Sequence, residues 1–263
     1  MTILNSIPPI RYLNLDKNED RRFFIEKQFE KYGVANFKRI SADRYGVDKY
    51  DEWSFEGEIN ERPRLSTLLN QFQSIIDWYH EDSSETCIIA EDDLNLDLCK
   101  YWRFDWNYFE SHLPCNWDCV QLHVVGEKYI PMGLSVRNRT LHSAACYLIN
   151  RDFARKLKKI FYREGTFKFP TNYGYHYSWP QYHYQSADFL PYNIGVTYSF
   201  PLFITNSSFK SDSLGGKLIN QMVIKSDKLV ANWWVNRSKD YSLDDLFCCQ
   251  NPDRMKLIVP IKQ

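Results

Sequence analysis

Net charge is the first thing this sequence lacks. Lys and Arg together number 33 and so do Asp and Glu, leaving a formal charge of zero. A protein that works by neutralising nucleic-acid phosphates needs a basic excess, so no nucleic-acid partner is expected. Long apolar runs are missing too. No stretch approaches a membrane span, and the start, Met1 to Pro9, has no basic region followed by a long apolar one. The expectation is a chain without a transmembrane segment, in a reducing cytoplasm. A cysteine pattern is also absent. The seven Cys have no regular spacing, and no His-rich motif accompanies Cys115 and Cys119 or Cys248 and Cys249. That argues against a zinc site and a disulfide scaffold. There is no internal repeat, low-complexity tract or linker, so residues 1–263 read as one domain.

What is present is enough apolar matter for a large core, with hydrophobic residues at 44%, and many aromatics: 18 Tyr, 17 Phe and 8 Trp. Flat rings suit sugar faces, but they also fill cores. Ile10 to Leu15 reads as a first strand, and Asp16 is placed to cap a following helix, with Glu19 completing a capping box. Gly33 ends that helix, and Phe37 to Ala42 reads as a second strand, which makes a βαβ start. Pro63 suits a helix first turn, and Leu65, Leu68, Leu69, Phe72, Ile75, Ile76 and Tyr79 keep helical spacing. Beyond it, helix is expected over Asp97 to Leu113, strand over Trp117 to Val125 and over Ser143 to Ile149. Asn150 then caps a helix, a short strand covers Val196 to Phe200, and Leu218 to Trp234 is helical.

The chain is organised around Cys87-Ile88-Ile89-Ala90-Glu91-Asp92-Asp93-Leu94. The apolar run suits a buried parallel strand, which would carry three carboxylates to the edge of the sheet where open α/β folds bind ligands. Three adjacent acids repel one another, so such an edge needs a cation, a hydrogen-bond donor or open water. A hard divalent ion held by one or two carboxylates, with substrate phosphates completing its shell, meets the need. A solvated acidic turn is the plainer alternative.

Several segments, in order, carry a family resemblance. They are Tyr12-Leu13-Asn14-Leu15-Asp16 with Asp20-Arg21-Arg22, Arg39 to Asp43, Ile88 to Leu94, Trp117 to Leu122, Ala145 to Arg151, Ala187 to Leu190, Pro201-Leu202 and Ser211-Asp212. In these the chain resembles glycosyltransferase family 25, which includes bacterial lipopolysaccharide galactosyltransferases and collagen galactosyltransferases, with viral relatives. The likeness spans roughly residues 8 to 214, leaving residues 215 to 263 as a helical extension. It departs from the family at Thr67, where a His is usual, and at Asp43-Arg44, where Asp-Gly is usual.

The resemblance implies an α/β fold: a GT-A-type, Rossmann-like single domain with a mixed, mostly parallel central sheet and flanking helices. It implies a UDP-sugar donor, a Mn2+ or Mg2+ ion, and a glycan or glycoprotein acceptor, in the host cytoplasm for a viral member. Glu91 and Asp93 are the expected metal ligands, with Asp92 a ligand or ribose contact. Asn14 and Arg21 are expected near the nucleotide, Ala42 and Asp43 near base or ribose, and Ser211 and Asp212 over the diphosphate. Asp188 is the expected base of an inverting transfer, with His142, His176 and His183 as lesser alternatives; a turn cap with Ser186 is its structural alternative. The aromatic stretch from Tyr173 to Tyr184 is either an acceptor platform or packing. Two other functions stay open: a catalytically inactive glycan- or nucleotide-binding protein, and a metal-dependent nucleotidyl- or phosphotransferase.

Overall fold

Apolar runs buried on both sides build the centre of this molecule. The computed structural model describes residues 3–52, 55–56, 62–169, 186–209, 216–249 and 257–261, and all that follows concerns these. Seven strands form the main sheet: β1 (Ile10–Asn14), β2 (Phe37–Ser41), β3 (Thr86–Glu91), β4 (Cys119–Gln121), β5 (Ser135–Val136), β6 (Cys146–Asn150) and β7 (Thr197–Ser199). Their order is β2-β1-β3-β6-β4-β7-β5. β1 pairs in parallel with β2 and β3, and β4 with β7; β6 runs antiparallel between β3 and β4, and β5 antiparallel to β7. The sheet is therefore mixed, with five of its seven strands pointing one way. The expected α/β class, with a mixed, mostly parallel central sheet and flanking helices, is the fold observed.

Side chains alternate across a strand, so each strand feeds two cores. Ile88 and Ala90 of β3 and Cys146 and Leu148 of β6 enter one core; it holds Ile25 and Phe29 of α1 (Glu19–Tyr32) and Trp106 and Phe109 of α3 (Trp106–Ser111). Cys87, Ile89, Tyr147 and Ile149 enter the other; it holds Leu65, Leu69 and Phe72 of α2 (Arg62–Glu81) and Phe153, Leu157 and Phe161 of α4 (Arg151–Phe161). Val230, Trp233 and Trp234 of α5 (Gly216–Asn236) are buried in the first core, and the Trp234 indole donates to the Pro201 carbonyl at 2.7 Å. Among the described residues no helix is long and apolar enough to cross a membrane. All seven cysteines are free.

Local signals work where a cap decides. Gly33 adopts φ 69°, and its N–H and that of Val34 close the end of α1 on Glu30 and Phe29. Asn150 accepts from the Phe153 N–H at 2.9 Å and starts α4. Asp16 is not a cap. α1 begins after Asn18, and Asp16 instead accepts from Arg39 and Ser41 at the end of β2. Those donors out-compete a helix start that lies two residues further on. The helix expected over Asp97 to Leu113 is broken as well. A 3₁₀ turn covers Asp97–Tyr101, Trp102 is extended, and Asp105 caps α3 through the Tyr108 N–H at 2.8 Å. Burial of the Trp102 and Phe104 rings in the first core fixes the break. Asp97 accepts from Lys31 and Tyr32. The strand over Trp117 to Val125 narrows to β4, because the N–H groups of Leu122 and His123 both turn onto the single Cys146 carbonyl.

Candidate functional site at the carboxyl edge of the sheet

β1, β2 and β3 are parallel, so their carboxyl ends share one edge, and helices α1 and α2 rise beside it. A cleft of about 1480 Å³ opens there. That exceeds the roughly 300–1,000 Å³ of a single small-molecule pocket, leaving room for two substrates. Its walls include Asn14, Arg21, Ala42, Asp43, Glu91, Asp92, Asp93 and Asp188. Every sequence-predicted site residue that the structure describes therefore faces one space, though the residues come from segments 170 positions apart. Thr67 and His142 line it too. Ser211, Asp212, His176, His183 and the aromatics from Tyr173 to Tyr184 lie outside the described residues.

The acids at the end of β3 are not equivalent. Asp92 is buried and used on both oxygens. Asn14 donates to Oδ2 at 2.8 Å, and Arg21 Nε lies 2.8 Å from Oδ1. Arg21 also reaches Asp93 Oδ2 at 3.2 Å, and its guanidinium sits 5.3 Å from the centre of the Phe209 ring. Asn14 is held in turn: it donates to the Asn18 carbonyl at 3.0 Å and accepts from Arg39 Nε at 2.9 Å. Arg21 and Asn14 thus orient the acids, and Asp92 is a bracket between them.

Glu91 and Asp93 are the strained pair. Burial pushes the Glu91 carboxyl well above its ordinary range, and the charges of Asp93, Asp188 and Asp92 push it further. Burial raises Asp93 also, against the pull of Arg21 and His123. Asp93 Oδ1 is buried and, among the described residues, accepts no hydrogen bond. An orphaned carboxylate oxygen beside a second desolvated carboxyl is a donor set that fits a hard cation. Among the described residues no group of three or more His, Cys, Asp or Glu could hold a metal ion; two carboxylates would need ligand phosphates to complete the shell.

The other predicted residues frame this centre. Ala42 lends its carbonyl to Asn70 Nδ2 at 2.7 Å, and Asp43 accepts from the Asp16 N–H at 2.7 Å, which fixes the turn after β2. Asp188 forms a tight turn with Ser186, whose hydroxyl lies 3.2 Å from both the Asp188 carboxylate and its N–H. The capping role foreseen for Ser186 is thus present, and Asp188 still faces the cleft.

Sequence reasoning missed several residues of the cleft wall: His123, Arg137, Arg139 and Ser143. Arg137 is fixed by Gln121 Oε1 at 3.1 Å and by the Leu141 carbonyl, and lies 4.3 Å from the Tyr192 ring centre; burial lowers its pKa to about 10. His142 Nδ1 is buried without a partner among the described residues, and burial holds the ring toward its neutral form, against the pull of Asp188. The sequence signal for His123 was a polar residue, alternating with Gln121, within the run Val120 to Val125. Lys17 and Arg139 are exposed on the cleft, and Arg64 is half-buried there.

No protein-family model and no curated protein matches the chain. Among solved structures it is similar to A197 from STIV, at 12% identity over 75% of this chain and 84% of that one, with TM-score 0.37. It is similar to HddC from Yersinia pseudotuberculosis complexed with GMP-PN, at 13% identity over 75% of this chain and 92% of that one, with TM-score 0.35. It is also similar to the inositol-1-phosphate CTP transferase from T. maritima, at 9% identity over 85% of this chain and 97% of that one, with TM-score 0.38. Overlaps of this size carry no argument about what the chain does.

Proposed function

We propose that this protein is a transferase that takes its donor as a nucleotide conjugate, held at the carboxyl edge of β1, β2 and β3. The observation that carries the reading is the convergence of Asn14, Arg21, Glu91, Asp92, Asp93 and Asp188 on one cleft whose wall also bears Lys17, Arg64 and Arg139. Carboxylates for a cation, cations for phosphates and a separate carboxylate for a proton are the three parts that such a transfer needs. The resemblance to glycosyltransferase family 25 supports a hexose, galactose or glucose, moved with inversion from a UDP-sugar to a hydroxyl of a glycan or glycoprotein in the cytoplasm. Glu91 and Asp93 would hold Mn2+ or Mg2+, which when bound supplies positive charge to the departing diphosphate. Arg21 favours the ionised form of Asp93 against the effect of burial and aims its carboxylate. Ala42 and Asp43 border the nucleoside end, and Asp188 accepts the proton of the acceptor hydroxyl. Ser211 and Asp212 are assigned to the diphosphate on the resemblance alone.

A second reading, nucleotidyl or phosphoryl transfer, is favoured by one observation. Lys17, Arg64 and Arg139 line the cleft in addition to Arg21 and Arg137, which are held by protein partners, and cations on several sides of one cleft suit a triphosphate. One experiment separates the readings. The protein is incubated with UDP-galactose, UDP-glucose or nucleoside triphosphates, with manganese or with chelator, and products are resolved by chromatography. Metal-dependent release of UDP supports glycosyl transfer, and release of pyrophosphate supports nucleotidyl transfer. Asp93→Asn is expected to remove either activity and the metal dependence of UDP binding measured by calorimetry. Identical metal dependence in variant and wild type would sink the assignment of Asp93.

A further inference from the structure

A buried polar chain runs from the C-terminal helix to the acidic motif. Asp227 of α5 is 6% exposed and His123, just after β4, is 1% exposed. His123 Nε2 lies 2.8 Å from Asp227 Oδ1, and His123 Nδ1 lies 2.5 Å from the Ser143 hydroxyl. The second Asp227 oxygen accepts the Thr205 N–H at 3.0 Å and the Thr205 hydroxyl at 2.6 Å. Thr205 pairs across from Leu94, and the neighbouring Asn206 N–H donates to the Asp93 carbonyl at 2.8 Å. At the other end, Ser143 accepts from the Ala145 N–H at 3.1 Å, and the Ala145 carbonyl accepts the Glu91 N–H at 2.9 Å. Ser143 holds φ 128°, which a residue with a side chain adopts only when its surroundings enforce it.

Both ends of this chain therefore land on the backbone of the acids. From this closed path we infer that Asp227 and His123 are positioning residues: a strut by which the C-terminal helix fixes the backbone at Glu91 and Asp93. An ionised Asp227 is only an acceptor, so His123 Nε2 carries a proton. Burial disfavours the charged imidazole, but Asp227 overrides it, and Asp93 and Asp188 add to the effect. The role within catalysis rests on the transferase reading; the strut itself does not.

Two variants of the full chain separate strut from charge. Asp227→Ala removes the bridge. Asp227→Asn can keep it, because its amide oxygen still accepts from Thr205 while its NH2 donates to a neutral His123 Nε2. Backbone amide exchange is read at Asn206, Thr205 and Glu91, with no ligand present, and against the amides of α4. In Asp227→Ala these three amides are expected to exchange about tenfold faster or more while α4 is unchanged. In Asp227→Asn they stay near wild type, and nitrogen NMR shows His123 Nε2 losing its proton. Donor turnover in Asp227→Ala is expected to fall about 10- to 100-fold in kcat with KM held, the usual effect of removing a residue that orients a site. If Asp227→Ala fails to fold, Thr205→Val, which deletes only the hydroxyl donor, is read at the same amides and should speed Asn206 selectively. Unchanged exchange at Asn206, or an equal rise in α4, overturns the strut. Absence of any nucleotide-dependent activity in wild type overturns the transferase reading and leaves the exchange result to stand by itself.

Discussion

Arg21→Met tests the electrostatic core of the site. The Arg21 side chain is 11% exposed, Asp92 8% and Asp93 20%, so its ion pairs are largely shielded from water. Removing one partner of a buried pair costs about 3–5 kcal/mol, because the remaining charge stays desolvated. Two features hold the loss to the lower end, about 3 kcal/mol. Asn14 still donates to Asp92 at 2.8 Å. Asp93, already raised by burial, can relax by taking up a proton once Arg21 no longer opposes it. Methionine keeps apolar contact with Phe209, so packing changes little. In a chain of this size about 1 kcal/mol moves Tm by 2–4 °C, so a fall of about 6–12 °C is expected in thermal unfolding at pH 7.5 with chelator. The sign with pH follows from the acids. Burial raises the Asp93 carboxyl, so as pH falls it takes up its proton, Arg21 has less to offset, and the difference between variant and wild type shrinks. Manganese should recover part of the loss in the variant, since a cation substitutes for the guanidinium. Adding Asp92→Asn to Arg21→Met should also recover part of it. A Tm change under about 2 °C, or the same change at pH 4 and pH 7.5, would refute the reasoning.

Glu91→Gln should behave oppositely. The wild-type carboxyl is raised by burial first and by its acidic neighbours second, so its contribution is fully present below the unfolded value of about 4.3 and is lost as pH rises through the folded value. The variant's Tm should therefore be flatter across pH 5–8 and should exceed wild type increasingly toward pH 8; parallel curves would rule this out. Asp188→Asn keeps shape and removes basicity, so donor binding should persist while transfer to acceptor falls by about 10²–10⁴, and near wild-type transfer would move the base elsewhere.

What was legible in the sequence depended on how local its cause was. β3, α2, the Gly33 stop and the Asn150 cap rest on periodicity or on one side chain, and all formed as read. Asp16 failed as a cap because Arg39 and Ser41, more than twenty positions away, compete for it. The helix over Asp97 to Leu113 failed because Trp102 and Phe104 answer to a distant core. The same distinction runs through the site. The acids announce themselves, being consecutive in the chain. Their support does not: Asp227 and His123 are 104 positions apart, and neither segment carries a pattern that points to the other.

The acids also explain how the cations of the cleft divide. The family resemblance sets Arg21 near the nucleotide, yet its guanidinium is engaged by Asp92 and Asp93 and backed by Phe209. Turning it wholly to a phosphate would leave two shielded carboxylates facing each other without compensation. Arg137 is similarly committed, to Gln121, the Leu141 carbonyl and the Tyr192 ring. Lys17, Arg64 and Arg139 line the same cleft from the β1–α1 turn, the start of α2 and the loop after β5. Under the proposed function an anionic ligand would meet these cations and the acidic motif in the same cleft. Its charge would then share the cleft with Asp93, whose buried Oδ1 has no hydrogen bond among the described residues. Two anions meeting there would need a cation between them, and that requirement, more than the count of acids, supports the proposal that the site takes metal and phosphate together.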